Sequence, residues 1–229
     1  MARRRRRSNP RLLLVGVAVA AAALAWFYRH QARSLFAGPG ALSPATAEVS
    51  AARVDPANEG RRLRVSGSLQ MTTPPRDAEL GVGASGAVLL RKVEMYQWLE
   101  SCAADDCRYT ADWSERPVDS RHFRHPETHE NPLPRLTSAR IAAGGLKLGA
   151  YPVGADLVAA QVAAAELPVR AADLPPNLAA SFTDAGGVLY AGGDPAHPKV
   201  GELRIRYSVV PAGTAALTGV QRGGGLVVE

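Results

Sequence analysis

The sequence has 229 residues, with 27 Lys and Arg against 21 Asp and Glu and a formal net charge of +6. Arg3, Arg4, Arg5, Arg6, Arg7 and Arg11 account for the whole excess, since without those six the remaining 21 basic residues balance the 21 acidic ones. A neutral remainder lacks the concentrated basic face that phosphate neutralisation requires, so a nucleic-acid partner is not expected; its length suits one domain of about 150 to 200 residues.

Leu12 to Tyr28 (LLLVGVAVAAAALAWFY) carries no charge. As a helix it would extend about 25 Å, close to the thickness of the bilayer's hydrocarbon core. Six arginines precede it and only Arg29 and Arg33 closely follow it, so the positive-inside bias places the N-terminus in the cytoplasm and the domain outside. A cleaved signal peptide is the alternative, with Ala23-Leu24-Ala25 as a small-x-small site. Both readings export the domain. The expected class is α+β and β-rich: a basic cytoplasmic tail at 1–11, a single transmembrane helix at 12–28, a juxtamembrane linker at 29–45, and one exported, mainly antiparallel β domain at 46–229 with one or two helices.

Arg61 to Gln70 alternates, with Leu63, Val65 and Leu69 on one parity, and predicts a half-buried strand. Two prolines make Thr72 to Asp77 a turn. Ala87 to Glu100 and Cys107 to Glu115 read as a β-hairpin around the acidic cysteine loop. Leu89, Val93, Met95 and Leu99 would share one face and Leu90, Tyr96 and Trp98 the other. Cys102 and Cys107, five apart in an exported domain, predict a disulfide stapling the hairpin end. A metal pair or two free thiols are the alternatives, although two thiolates alone make an incomplete zinc site.

Pro117 to Pro134 is a long polar loop with four prolines and His122, His125 and His129. Gly154 to Glu166 predicts a helix with Leu157, Val158 and Val162 inward, and a second short helix is expected around Asn177 to Phe182. Gly187–Tyr190, Glu202–Pro211 and Ala216–Val220 read as further strands.

The hairpin carries a family resemblance. Asn58-Glu59-Gly60-Arg61, the run from Leu90 to Trp98 (LRKVEMYQW) and Trp113-Ser114 resemble the LUMA, or transmembrane protein 43, family. Asp119-Ser120 with Phe123, then His129-Glu130-Asn131-Pro132, and Pro198 to Arg204 (PKVGELR) agree with it in order and spacing. The resemblance covers roughly Glu59 to Glu229. It implies a non-enzymatic endomembrane protein, of the endoplasmic reticulum and inner nuclear membrane in eukaryotes. The Ala- and Arg-rich composition suggests a bacterial member, with the domain periplasmic and the helix in the inner membrane. The family continues into further C-terminal spanning helices, so a fragment or a truncated member is expected.

Within that frame, Tyr96, Trp98, Trp113, His129 and Asn131 are the candidate binding residues, and no catalytic residue, cofactor or metal is expected. His122, His125 and His129 with Glu127 and Glu130 could hold zinc, but Pro126 and the absence of helical i, i+4 spacing favour a solvated loop or a partner contact. Glu94 is expected in a cross-strand ion pair, with Arg108 as the nearest candidate. Gly223-Gly224-Gly225 lacks the Lys-Ser/Thr of a phosphate loop, and Gly83-Ala84-Ser85-Gly86 breaks the nucleophile-elbow spacing of a hydrolase. The expected partners are membrane lipid, a membrane or periplasmic protein, and a second copy of the chain. The function this supports is membrane organisation or scaffolding; the alternative is a small-molecule or lipid-sensing domain using the Tyr96 and Trp98 face or the histidine loop.

Overall fold

The computed structural model of the chain describes residues 46–104 and 106–229. The basic tail, the expected spanning helix at 12–28 and the linker lie outside the described residues. Among those described, no helix is long and apolar enough to cross a membrane.

Alternation builds the first sheet. In β2 (Arg62–Gln70) Leu63, Val65 and Leu69 are buried while Arg62, Arg64, Ser66 and Ser68 point away. Its partner β12 (Gly213–Arg222) runs antiparallel, with Val65 opposite Leu217. β13 (Gly225–Val227) continues beyond β12, and β6 (Lys147–Leu148) and β7 (Tyr151–Pro152) lie beyond β2. β1 (Ala47–Ser50) pairs parallel to β2, making six strands. Gly67 lets this happen, because a Cβ there would sit 2.6 Å from the Cβ of Ala51.

The second sheet has seven strands in the order β4-β3-β11-β10-β9, with β5 added to β3 and β8 to β11. Its spine is β3 (Gly86–Ala103), which pairs antiparallel with β11 (Leu203–Pro211) over its first half and with β4 (Asp106–Ser114) over its second. The other members are β5 (Ala139–Ala142), β8 (Ala165–Leu167), β9 (Thr183–Ala185) and β10 (Val188–Ala191). The chain passes from β11 to β12, and so between sheets, through Pro211, which has no N–H to donate, and Gly213 at φ +135.

Two apolar clusters form, one centred on each sheet, with the first also taking Val88 and Val210 from the second sheet. One gathers Leu63, Val65, Leu69, Val88, Leu148, Tyr151, Val158 and Leu217; the other gathers Leu80, Leu89, Val93, Met95, Leu189, Ile205 and Tyr207. Tyr207 carries an ionic group into the second. Its hydroxyl donates to Asp77 at 2.6 Å, and Arg91 donates to both Asp77 oxygens at 2.8 and 2.6 Å and to Glu79. The side chains of Arg91 and Asp77 are almost wholly out of water. Burial raises the Asp77 pKa, but the bonds from Tyr207, the Glu79 N–H and Arg91 outweigh it and hold the carboxyl below its usual range.

The Ala-rich helix is shorter than expected. α1 (Ala155–Gln161) buries Leu157 and Val158, but Val162 is already extended and Ala165–Leu167 leaves the helix to form β8 against Tyr207–Val209. Sheet pairing overrides helix propensity there. α2 (Pro176–Ala179) is a single turn near the expected second helix. The domain is thus β-rich and mainly antiparallel with two short helices, and the Pro117–Pro134 loop contains two 3-10 turns, at Ser120–His122 and Pro126–Thr128.

Candidate functional site

Beyond Met95 the long strand β3 leaves β11 behind, and the β3–β4 hairpin extends past the sheet. Cys102 and Cys107 are directly opposite each other and disulfide-bonded, as their spacing predicted. That bond also sets the register: Glu100 faces Tyr109, Trp98 faces Ala111 and Tyr96 faces Trp113. Because side chains alternate along a strand, all six of these residues share one face.

The face is a sequence of ring contacts. Trp113 meets Tyr96 edge-on at 5.3 Å and Tyr190 at 6.1 Å, and the guanidinium of Arg204 lies 4.7 Å from its ring centre. Arg204 also donates to Glu94 at 2.7 Å, with Arg206 at 3.2 Å and Lys92 at 3.3 Å from the same carboxylate. Glu94 is therefore cross-strand paired as expected, but to Arg204; Arg108 stands opposite Ser101. The hydrogen bond from Arg204 is the largest influence on the Glu94 carboxyl and, against the effect of burial, keeps its pKa below the ordinary value.

Nearer the tip, the 117–134 loop lies on this face. His129 stacks on Tyr109 with ring centres 3.7 Å apart and meets Trp98 edge-on at 4.7 Å. Phe123 and His125 approach Tyr109 at 6.0 and 6.2 Å. The Tyr109 hydroxyl donates to Glu100 at 2.6 Å and accepts the His125 N–H at 3.1 Å, while the Arg124 N–H donates to Glu100 at 2.6 Å. The bonds from Tyr109 and the Arg124 N–H lower the Glu100 pKa.

Two amides fasten the loop to the strand. Trp98 N–H donates to Asn131 Oδ1 at 2.7 Å and Asn131 Nδ2 returns a bond to Trp98 O at 3.0 Å, so the side chain replaces a neighbouring strand where β11 has ended. Gln97, fully buried on the opposite face, accepts from Val118 N–H at 2.9 Å and donates to Arg116 O at 2.8 Å.

All five candidate binding residues thus converge on the hairpin. Tyr96, Trp98, Trp113 and His129 lie in the ring contacts and Asn131 secures the loop beneath them; each is only partly buried. The three histidines do not converge: His122 Nδ1 is 3.4 Å from Asp119, His125 Nδ1 is 3.6 Å from Glu127, and His129 Nδ1 is 2.8 Å from Thr128 Oγ1. Among the described residues the ligand-type atoms that do cluster are those of Glu100, Cys102 and Cys107, within 4.8 Å of one another, but the two sulfurs are spent on each other. Tyr109, Glu100 and Ala111 escaped the sequence reading, and Phe123 entered it only as part of the family motif. Drawing the register outward from the Cys102–Cys107 pair would have placed the first three, since it sets Tyr109 beside Glu100 and Ala111 beside Trp98.

The family model for transmembrane protein 43 matches residues 95–228, from the base of this hairpin to the last strand. The chain belongs to the transmembrane protein 43 family. A transmembrane protein 43 homolog of Drosophila melanogaster is 28% identical over 171 residues, covering 66% of this chain and 43% of the relative. Transmembrane protein 43 of Mus musculus is 26% identical and that of Homo sapiens 25%, each over 168 residues, 68% of this chain and 41% of the relative. The chain therefore spans about two fifths of the length of these relatives. No solved structure matches it. The matched segment contains Tyr96, Trp98, Trp113, His129, Asn131 and both cysteines, so the whole ring-contact face falls within the transmembrane protein 43 region.

Proposed function

We propose that the chain is a membrane-anchored, non-enzymatic organising protein, with its N-terminus cytoplasmic and its β domain on the exported side, where the hairpin face binds a partner protein close to the bilayer. The observation that carries this reading is the hairpin itself: a strand pair extended past its sheet, stapled at the tip, and fitted with partly exposed Trp, Tyr and His rings. Rigid aromatics of that kind supply large contact area at low entropic cost and are enriched at protein interfaces. The uncharged run at 12–28 and the relatives' designation as transmembrane proteins support the anchor. The non-enzymatic reading draws on the shifted carboxyls Asp77, Glu94 and Glu100, each engaged by guanidinium, phenol or backbone donors within the fold.

Co-purification of the full chain from membranes in mild detergent tests this, comparing wild type with Ala111→Arg. Ala111 sits between the two groups of rings, opposite Trp98, so an arginine there places charge in the middle of the face without deleting a ring contact. Loss of a specific partner at unchanged thermal stability is expected. Retention of every partner by the folded variant would remove the hairpin face from the function.

The second reading is a domain that senses a small molecule or lipid. The aromatic face is less suited to it than a separate groove of about 620 Å³ at the open end of the second apolar cluster.

A further inference from the structure

The groove is lined by Leu80, Leu136, Leu178, Phe182 and Leu203, all members or close neighbours of the second core cluster, together with Leu133. Leu133 is 90% exposed between Pro132 and Pro134, the most exposed large apolar side chain among the described residues. Pro132 is held close to Gly201, whose φ is +95 and where a Cβ would lie 2.9 Å from the proline ring. That close approach sets the Leu133 segment along one wall.

Two charged residues line the groove, and their situations differ. Glu202 accepts from the Tyr190 hydroxyl and from the N–H groups of Gly193 and Lys199, both at 2.8 Å. Burial raises its pKa, yet those bonds and the Lys199 charge outweigh it, so the carboxylate is already satisfied within the fold. Arg135 is exposed and has no ion-pair or hydrogen-bond partner among the described residues. An apolar groove with one uncommitted guanidinium at its edge is complementary to a ligand with an apolar body and a single negative charge.

We propose that this groove binds one long-chain fatty acid anion, its hydrocarbon chain along Leu80, Leu133, Leu136, Leu178 and Phe182 and its carboxylate paired with Arg135. A carboxylate matches the guanidinium fork bidentately and carries one charge. A phosphate monoester would bring close to two, and among the described residues the groove offers one free cation. The volume falls within the range of about 300–1,000 Å³ found for small-molecule sites. This deepens the ligand-sensing reading and stands apart from the hairpin, so partner capture through Ala111 and fatty-acid binding here succeed or fail separately.

The test uses the full chain in phosphatidylcholine nanodiscs, a palmitate analogue with a diazirine at mid-chain, and peptide mapping after photolysis. Saturable labelling is expected within 133–136 and 178–182, with palmitate competing about tenfold better than hexadecanol, as loss of a charge-assisted pair implies. Arg135→Gln should weaken labelling by a similar factor, and because Arg135 is unpaired the variant should retain the wild-type melting temperature. Leu178→Trp fills the groove and should abolish labelling; if it fails to fold, Arg135→Gln decides alone. Labelling unchanged by Arg135→Gln, equal competition by hexadecanol, preferential competition by lysophosphatidate, or no labelling of these segments would each overturn the proposal.

Discussion

The two sheets are stabilised in different ways. The first encloses a cluster of aliphatic side chains, Leu63, Val65, Leu148 and Leu217 among them, with Tyr151. The second encloses the Asp77–Arg91–Tyr207 group, carries Glu94 with its three cations on the other face, and needs Gln97 and Asn131 to secure its long hairpin. Burial is non-directional, whereas these polar links fix particular atoms against each other. Gln161 also bonds to the first sheet's backbone at Thr218, and Gln221 ties β12 to the Asp55 carbonyl, but the buried ionic group belongs to the sheet that extends a surface beyond the core.

The largest expected effect attacks that ionic group. Asp77→Ala leaves Arg91 buried without its main partner, and equilibrium denaturation should show a loss of about 3–5 kcal/mol. Replacing the whole group, Asp77→Leu with Arg91→Met and Tyr207→Phe, should recover most of it, since apolar side chains of similar volume avoid the desolvation cost and leave no buried hydroxyl unpaired. In the first sheet Leu63→Ala should cost about 2–5 kcal/mol through transfer and cavity terms.

The sheets should also separate by pH. Asp77 and Glu94 have folded pKa values below their unfolded ones, so their contribution is complete above the unfolded carboxyl range, about pH 4, and is lost as pH falls through the folded values. The Leu63→Ala penalty should therefore be constant between pH 3 and 7, while the Glu94→Gln penalty shrinks over the same acid range. Thermal melts across that interval check both.

Smaller effects are expected at the hairpin. Removing the disulfide by Cys102→Ser with Cys107→Ser should cost about 2 kcal/mol, the short-loop value, read by denaturation with and without reductant. Asn131→Ala should cost about 1–2 kcal/mol by leaving the Trp98 backbone groups unpaired. Hydrogen exchange should then rise at Trp98 and through 117–134 while β2 and β12 stay protected.

How much was legible in the sequence follows the same division. Alternation located β2, β-prone runs between turn residues located β3, β4, β11 and β12, and the spacing of Cys102 and Cys107 pointed to their bond. The strands of two to four residues, such as β6, β7 and β13, are too short for a period to register. The Ala-rich run after Gly154 read as one long helix because propensity reports nothing about the β11 edge that takes Ala165–Leu167. At the site, Tyr96, Trp98, Trp113, His129 and Asn131 were visible as residue types in a resembling motif. The partner of Glu94 lies 110 residues away and that of Tyr207 lies 130 away, separations that no local pattern encodes.

The hairpin's role is tested most directly by photo-crosslinking in intact membranes, with p-benzoylphenylalanine at Ala111 compared with the same residue at exposed Thr214 on β12. A discrete protein adduct from position 111, with none from 214, is the predicted result. No adduct from 111 in a chain that inserts and folds, or the same adduct from both positions, would contradict it.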